Sequence, residues 1–481
     1  MKRRALVLFA ALAPRLVIGY VNFGAVDAVV NLRNTVRLLQ HLPVETPYLP
    51  GIELWLWVAS SLAYFTSLPL MFPYKLLPIA CDAAIALLLF EAAKDRRDGL
   101  RDGLLYAVAP IAIAISAIHP QWDSIWMLFL LIAVLAVRDE RDLGSAIAGA
   151  ALVLSAIAKP VAAPLALVLL PRTRRGVLAF ASGALAVAIV YGGVLAATGT
   201  FPTLDSLGGI VGYASGGVRL FGLPYRPFDR FWAVVALAIG AAALRYLGRV
   251  TRDEAVLLAL VATLAVSGLS VQYLLWPIPF AILAGKRRFL ALYTLLAGAF
   301  VVLYYETPLL NLPNMENLGA YGMLRHFAWL SPPLPPRGLQ TIQQLLGNYA
   351  IPLLCLGFVI VRVTNIFRCR ERASALPAVP LRRVAAPAAV LLVLLALTTF
   401  WAVRKPPMRA AAFVQRVAQK IGAYDVVPYN GSLVIRRGSR IWIARSFTDA
   451  SVSAPLHIVV IGLACVAASA AMFILYDVRR S

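Results

Sequence analysis

The sequence predicts an all-α polytopic membrane protein. Three observations carry this. Of 481 residues, 61% are hydrophobic and only 14% are charged, whereas soluble domains carry about 25% charged residues. The mean hydropathy is +0.80. The net charge of +23 is gathered in short Lys/Arg clusters between apolar segments. That is the positive-inside signal of a membrane topology rather than a nucleic-acid footprint, so no nucleic-acid partner is expected. Cys81, Cys355, Cys369 and Cys465 are scattered, without the spacing of a metal site or a disulfide framework.

The opening stretch MKRRALVLFAALAPRLVIGY has an ALA that suggests a signal-peptide cleavage site. Pro14 would follow the cut, and the apolar run continues past it, so this reads as an uncleaved first helix with its basic end inside. The basic clusters then thread the chain: Lys2–Arg4, 94–101, 138–141, 172–175, 249–252, 285–288, 368–372 with Arg382 and Arg383, and the terminal VRR. Placing all of them in the cytoplasm demands an even number of crossings between neighbours.

Residues 104–137 become a helical hairpin whose outer tip is SAIHPQWDSIW, 116–126. Its polar groups are expected at the extracytoplasmic rim, because a charge near the bilayer centre costs about 2.5–3.5 kcal/mol. Residues 145–170 go out and back, turning at AIAKP, 156–160. Both legs are short for a hydrocarbon core about 30 Å thick, which takes about 20 helical residues, so they should face an internal cavity. Residues 255–284 form a similar hairpin turning near SVQYLLWPIP, 270–279.

Before Lys94 lie three apolar segments, 5–20, 52–72 and 76–93, although parity allows only two crossings. The segment 52–72, broken by Ser67-Leu68-Pro69, is expected to lie along the outer face or to re-enter it. Further on, 177–198 goes out, 199–230 is a Gly-rich outer loop, and 231–247 returns. Segments 289–305 and 349–367 bracket another outer loop, 384–403 leads outside, and 454–476 comes back. The sum is about fourteen helices with both termini inside. The outer stretch 404–453 should hold an amphipathic helix, AAAFVQRVAQKI, and a hairpin, SLVIRRGSRIWIA, around Arg-Gly-Ser. Four parts are expected: 1–288 as the catalytic transmembrane module, 289–403 as a variable one, 404–453 as a small outer domain, and 454–481 as the last helix with its tail.

The outer polar features are few. In GAVDAVVNLRNTVRLLQHL, Val29, Val30, Leu32, Val36, Leu39 and Leu42 recur at helical spacing, with Arg33, Asn34 and Arg37 on the other side. This describes an interfacial amphipathic helix. Asp27 at its start reads either as a carboxylate that complements the helix dipole or as a general base. Asp123 reads either as a helix cap or, with His119, Gln121 and Trp122, as part of a site. Lys159 reads as a snorkelling lysine or as a phosphate partner. Tyr273 and Trp276 read as interfacial belt residues, or Gln272 and Tyr273 read as substrate-binding residues. The glycines of GGIVGYASGGVRLFG lack the GKS/T of a P-loop, so no nucleotide site follows.

The order of these features resembles the GT-C superfamily of glycosyltransferases that use lipid-phosphate sugars. The ordered set is Asp27 and Thr46-Pro47-Tyr48 after the first helix, YKLLPIACDAAIALLLFE, the SAIHPQWDSIW tip, a short helix ending at Lys159-Pro160, and the QYLLW segment. It is most similar to mannosyltransferase I of glycosylphosphatidylinositol synthesis and its bacterial relatives, over roughly residues 20–285. The resemblance implies a GT-C-like bundle with a long first outer loop, in the plasma (inner) membrane. It implies transfer of a hexose, mannose by likeness, from a polyprenyl-phosphate donor to a lipid, glycan or protein hydroxyl, with inversion. Asp27 then matches the catalytic aspartate. His119, Gln121 and Asp123 match the second-loop motif, and Lys159 and Gln272 match positions near the donor phosphate. The chain departs from the pattern in lacking a paired acid beside Asp27, the next acidic residue being Glu45, and in its reduced PYLPG segment. The lone carboxylate argues against a metal there, and no cofactor is implied.

The chemistry stands without the name. A phosphate-linked sugar already carries a good leaving group. One carboxylate to take the acceptor proton suffices, provided cations such as Lys159, with Arg33 or His119, offset charge building on the phosphate. The rival readings are a transporter or flippase of lipid-linked sugars and a non-catalytic scaffold docking through 404–453. A transporter would want charge pairs inside the spans, and only Arg15, Asp82 and Arg245 are found there.

Overall fold

A computed structural model describes residues 2–24, 26–42, 52–93, 96–139, 141–198, 217–220, 223–267, 269–306, 312–313, 336–368, 409–421, 425–429, 432–437, 440–443 and 446–447. Its body is helical. The helices are α1 (Lys2–Val21), α2 (Val26–Leu39), α3 (Ile52–Phe65), α4 (Phe72–Ala92), α5 (Arg96–Ala107) and α6 (Pro110–Ile113), which runs on into a π turn, Ala114–Ile118. Next come α7 (Asp123–Ala136), α8 (Asp142–Ala158), a 3₁₀ turn Pro160–Leu165 leading to α9 (Ala166–Leu169), α10 (Arg174–Thr198), α11 (Arg230–Tyr246) and α12 (Arg252–Val266). After a 3₁₀ turn Val271–Leu275 follow α13 (Pro277–Leu283), α14 (Arg287–Glu306), α15 (Pro336–Leu345), α16 (Ile351–Arg368) and α17 (Ala410–Ile421).

Two helical stretches among the described residues, Arg174–Gly193 and Thr341–Arg368, are long and apolar enough to cross a membrane. A third joins them if Asp98–Ala107 and Pro110–Ile118, bent by 46°, count as one span. The expected segments 384–403 and 454–476 lie outside the described residues, as do Thr46-Pro47-Tyr48, Glu45 and residues 199–216 of the expected loop.

Local chemistry sets the helix ends. Thr251 caps α12, its hydroxyl accepting from Glu254 N–H at 3.3 Å, which is the first half of a capping box. Pro73 and Pro277 stand in the first turns of α4 and α13, where no amide hydrogen is needed. Gly248 and Gly285 end α11 and α13 at φ +68° and +67°. In each, the residue after the glycine reaches back five positions, Arg249 N–H to Leu244 O and Lys286 N–H to Ala281 O, the glycine-terminated close that other residues enter only with strain.

Ion pairs join the helix termini at one end of the bundle. Arg138, closing α7, holds Asp253 through both carboxylate oxygens. Glu254 takes Arg362 at 2.5 Å and Lys286 at 2.7 Å. Arg101 holds Asp98 and Asp102, and Arg4 pairs with Glu91. Through Asp102, Asp253 and Glu254 these pairs tie down residues of the basic clusters 94–101, 138–141 and 285–288.

The apolar core is in two parts. The larger lies among α1, α4, α5, α7, α8, α12, α13, α14 and α16, with Trp126, Tyr106, Phe280 and Tyr293 fully enclosed. Within it Arg15 Nε donates to Asp82 Oδ2 at 3.0 Å, and Tyr106 O–H donates to the other carboxylate oxygen at 2.7 Å. Arg15 also donates to the carbonyls of Ala11 and Ala107. The smaller core joins α2, α3 and the start of α4 to α17: Ala28, Leu32, Val36, Trp55, Leu56, Val58, Tyr74, Phe413 and Val417 are all within it. Helix α3 thus packs beside α2, and it ends before Ser67-Leu68-Pro69.

The described part of 404–453 is richer in strand than expected. The helix AAAFVQRVAQKI is α17, and the RRGSR hairpin is present, with Arg437 opposite Arg440. Two further strands, Asp425–Tyr429 and Ser446–Phe447, extend it to a four-stranded antiparallel sheet. Gly217–Leu220 and Leu223–Asp229 form a second small hairpin in the stretch expected to be a plain loop.

Candidate functional site

The turn His119-Pro120-Gln121-Trp122 is shaped by what precedes it. The π turn adds one residue to the helix end, so that His119 N–H reaches Ala114 O at 2.9 Å, a device common at functional sites. Pro120 cannot extend a helix, and the chain folds into a three-residue turn with Gln121 N–H bonded to His119 O. Helix α7 then starts at Asp123, and Trp122 in the capping position makes no side-chain cap. The helix-cap reading of Asp123 is thereby corrected: its carboxylate is occupied elsewhere.

Asp123 is fully buried, and three donors converge on its Oδ1. Lys159 Nζ lies 2.7 Å away, Trp276 Nε1 2.6 Å and Trp126 Nε1 3.1 Å. The other oxygen, Oδ2, and the Oε1 of Gln121 have no hydrogen-bond partner among the described residues. Lys159 sits at the turn after α8, as the sequence implied, and is 6% exposed. Its ammonium lies 4.7 Å from the Tyr273 ring centre and 5.1 Å from that of Trp276, and so it is caged by π faces. The indoles of Trp126 and Trp276 meet edge to face at 5.1 Å. Ser155 holds the hairpin closed by donating to Trp126 O at 2.8 Å.

The site residues are closed off from the protein surface. His119, Gln121, Asp123, Lys159, Gln272 and Tyr273 are all at most 8% exposed. Tyr273 and Trp276 are walls of a charge cage, not belt residues. Gln272 lies at the edge of the same group and accepts from the Ser270 hydroxyl. Trp122, half-buried, packs on the smaller apolar core. The turn therefore sits at the seam between the two cores.

Helix α2 forms the other side of the seam. Asn31 Nδ2 donates to Pro120 O at 3.3 Å, and Thr35 bonds to the Tyr74 hydroxyl at 2.9 Å. The interfacial reading of α2 is also corrected. Its polar residues Asn31, Arg33 and Asn34 are 7%, 7% and 4% exposed, as buried as its apolar stripe. Asp27 lies in the first turn of α2, four residues before Asn31, and so shares its helix face. Sequence reasoning missed Trp126, Ser155 and Asn31. The spacing of Asp123 and Trp126, three apart on one helix, was the available signal for the first of these.

Such a seam offers one buried carboxylate–ammonium pair and aromatic walls, with Asp27 in the first turn of the helix beside it. Comparisons of the chain with known protein families, characterised proteins and solved structures find no match.

Proposed function

We propose that the chain is a multi-pass membrane glycosyltransferase of the GT-C kind. It would move a hexose, by resemblance mannose, from a polyprenyl-phosphate donor to a lipid, glycan or protein hydroxyl at the extracytoplasmic face of the plasma (inner) membrane. The observation that carries the reading is a convergence. Asn31, one turn along α2 from Asp27, bonds to Pro120, and Asp123, which follows that turn at the start of α7, binds Lys159.

In this reading Asp27 accepts the proton of the acceptor hydroxyl as its oxygen bonds to the anomeric carbon. The bond from that carbon to the phosphate oxygen breaks, and polyprenyl phosphate leaves with the electron pair. Because attack and departure take opposite faces of the sugar, the anomeric configuration inverts. Lys159 is already matched by Asp123, so the growing charge on the phosphate draws on Arg33 of α2 and on His119 as well. Gln121, Trp122, Gln272 and Tyr273 line the seat of the sugar.

The direct test is transfer of labelled sugar from polyprenyl phosphate by the purified chain in detergent. Asp27→Asn should lower the rate at least about a hundredfold, the scale of general-base loss, with normal amounts of protein in the membrane. Retained activity would remove Asp27 from the mechanism.

One observation favours a second reading, a flippase or transporter of lipid-linked sugars. The Arg15–Asp82 pair is fully enclosed in the larger core, as coupling charges in transporters are. Uptake into proteoliposomes without product would favour that reading.

A further inference from the structure

We infer that the C-terminal outer domain is a structural wall of the candidate site, with Phe413 and Val417 as positioning residues for the helix that carries Asp27. The inference rests on the proposed role of Asp27, but its structural half can be tested separately.

Helix α17 presents Phe413, Val414 and Val417, at 1%, 7% and 0% exposure, while Gln415, Arg416 and Gln419 on its other side are exposed. The buried face does not await an outside partner. It is joined in one apolar core to Ala28, Leu32 and Val36 of α2 and to Trp55, Leu56 and Val58 of α3. The strand Ser432–Arg437 also runs against α2. This is why both faces of α2 are covered. One side meets the His119–Trp122 turn through Asn31, and the other meets a domain nearly four hundred residues later in the chain, as the numbering shows.

The consequence concerns geometry at the reacting atoms. Ala28, the residue after Asp27, is fully buried in this core. The core therefore fixes the position and tilt of the first turn of α2, and with it the Cα of Asp27. A helix of 14 residues is marginal alone in water. Its order depends on what it packs against. Trp122 touches the same core from the turn side, so one apolar cluster sets the spacing between Asp27 and the turn.

The test uses the full chain in lipid nanodiscs, comparing wild type, the double variant Phe413→Ala/Val417→Ala, single Val417→Ala and conservative Phe413→Leu. Amide hydrogen exchange across 26–39 should speed up about tenfold or more in the double variant, as a locally opened segment does, while α7 and α8 keep wild-type protection. Sugar transfer should show kcat reduced about a hundredfold, the cost of a misplaced catalytic group, with KM for the donor unchanged. Phe413→Leu should leave both near wild type. If the double variant fails to fold, Val417→Ala gives the graded version of the same pattern. Unchanged exchange in α2 overturns the inference whatever the activity, and so does loosened α2 with undiminished kcat. If wild type transfers no sugar while α2 still loosens, the enzyme reading fails and the wall itself survives.

Discussion

Lys159 and Asp123 form an ion pair of 2.7 Å between the start of α7 and the end of α8, with side chains 7% and 1% exposed. Both charges are out of water, so each depends on the other more than on any single neighbour. Removing one partner of such a pair costs about 3–5 kcal/mol, whereas replacing both with apolar groups of similar size is near neutral. Lys159→Met and Asp123→Leu should therefore each lower the unfolding temperature in detergent sharply, and the double variant should recover much of the loss. Simple addition of the two losses in a double-mutant cycle would show that the pair is not a coupled unit.

Asp82 separates the enzyme reading from the transport reading. It takes donors from Arg15 and Tyr106 at 3.0 and 2.7 Å, the bonding of a fixed strut. Asp82→Ala should cost about 3–5 kcal/mol by stranding a buried guanidinium, visible as lost protein in the membrane. A variant of normal stability that has lost only substrate uptake would point to a moving charge and to transport.

Helices α8 and α10 cross with backbone against backbone. A side chain at Gly149 would strike Phe180 O, and one at Gly183 would strike Ala146 O. Gly149→Ala is expected to destabilise by about 1–3 kcal/mol, the usual cost of overpacking. Gly192, with nothing within 4 Å, is the control. Gly192→Ala should be neutral or stabilising by about 0.5–1 kcal/mol, since a helix favours alanine. Thermal unfolding of the three proteins in one detergent decides it.

Membrane sidedness has its own test. Gln40, just past α2, and Arg174, at the start of α10, are both exposed. In intact cells a membrane-impermeant maleimide should label Gln40→Cys, and it should label Arg174→Cys only after permeabilisation. Equal labelling of both in intact cells would contradict the threading deduced from the basic clusters.

Much of the helical skeleton was legible because its signals are local. Lys159-Pro160 marks a break that any chain must respect, and AAAFVQRVAQKI and RRGSR carry the periods of a helix and a hairpin. The burial of Arg33 and Asn34 was not legible. On the helix wheel they form a polar stripe, and only their exposures of 7% and 4% in the folded chain reveal that the stripe is covered. The cap reading of Asp123 fails for a similar reason. A carboxylate before an apolar run looks like a cap, while two of its donors, Lys159 and Trp276, come from other segments, the second 153 positions away.

Helices α7 and α8 have 14 and 17 residues, about 21 and 26 Å at 1.5 Å per residue. Both are shorter than a hydrocarbon layer about 30 Å thick, and α7 is buried along nearly its whole length. In a bilayer its shortness would be met by the helices packed around it rather than by lipid, so the turn at its start can sit below the depth a full-length span reaches without baring backbone to acyl chains.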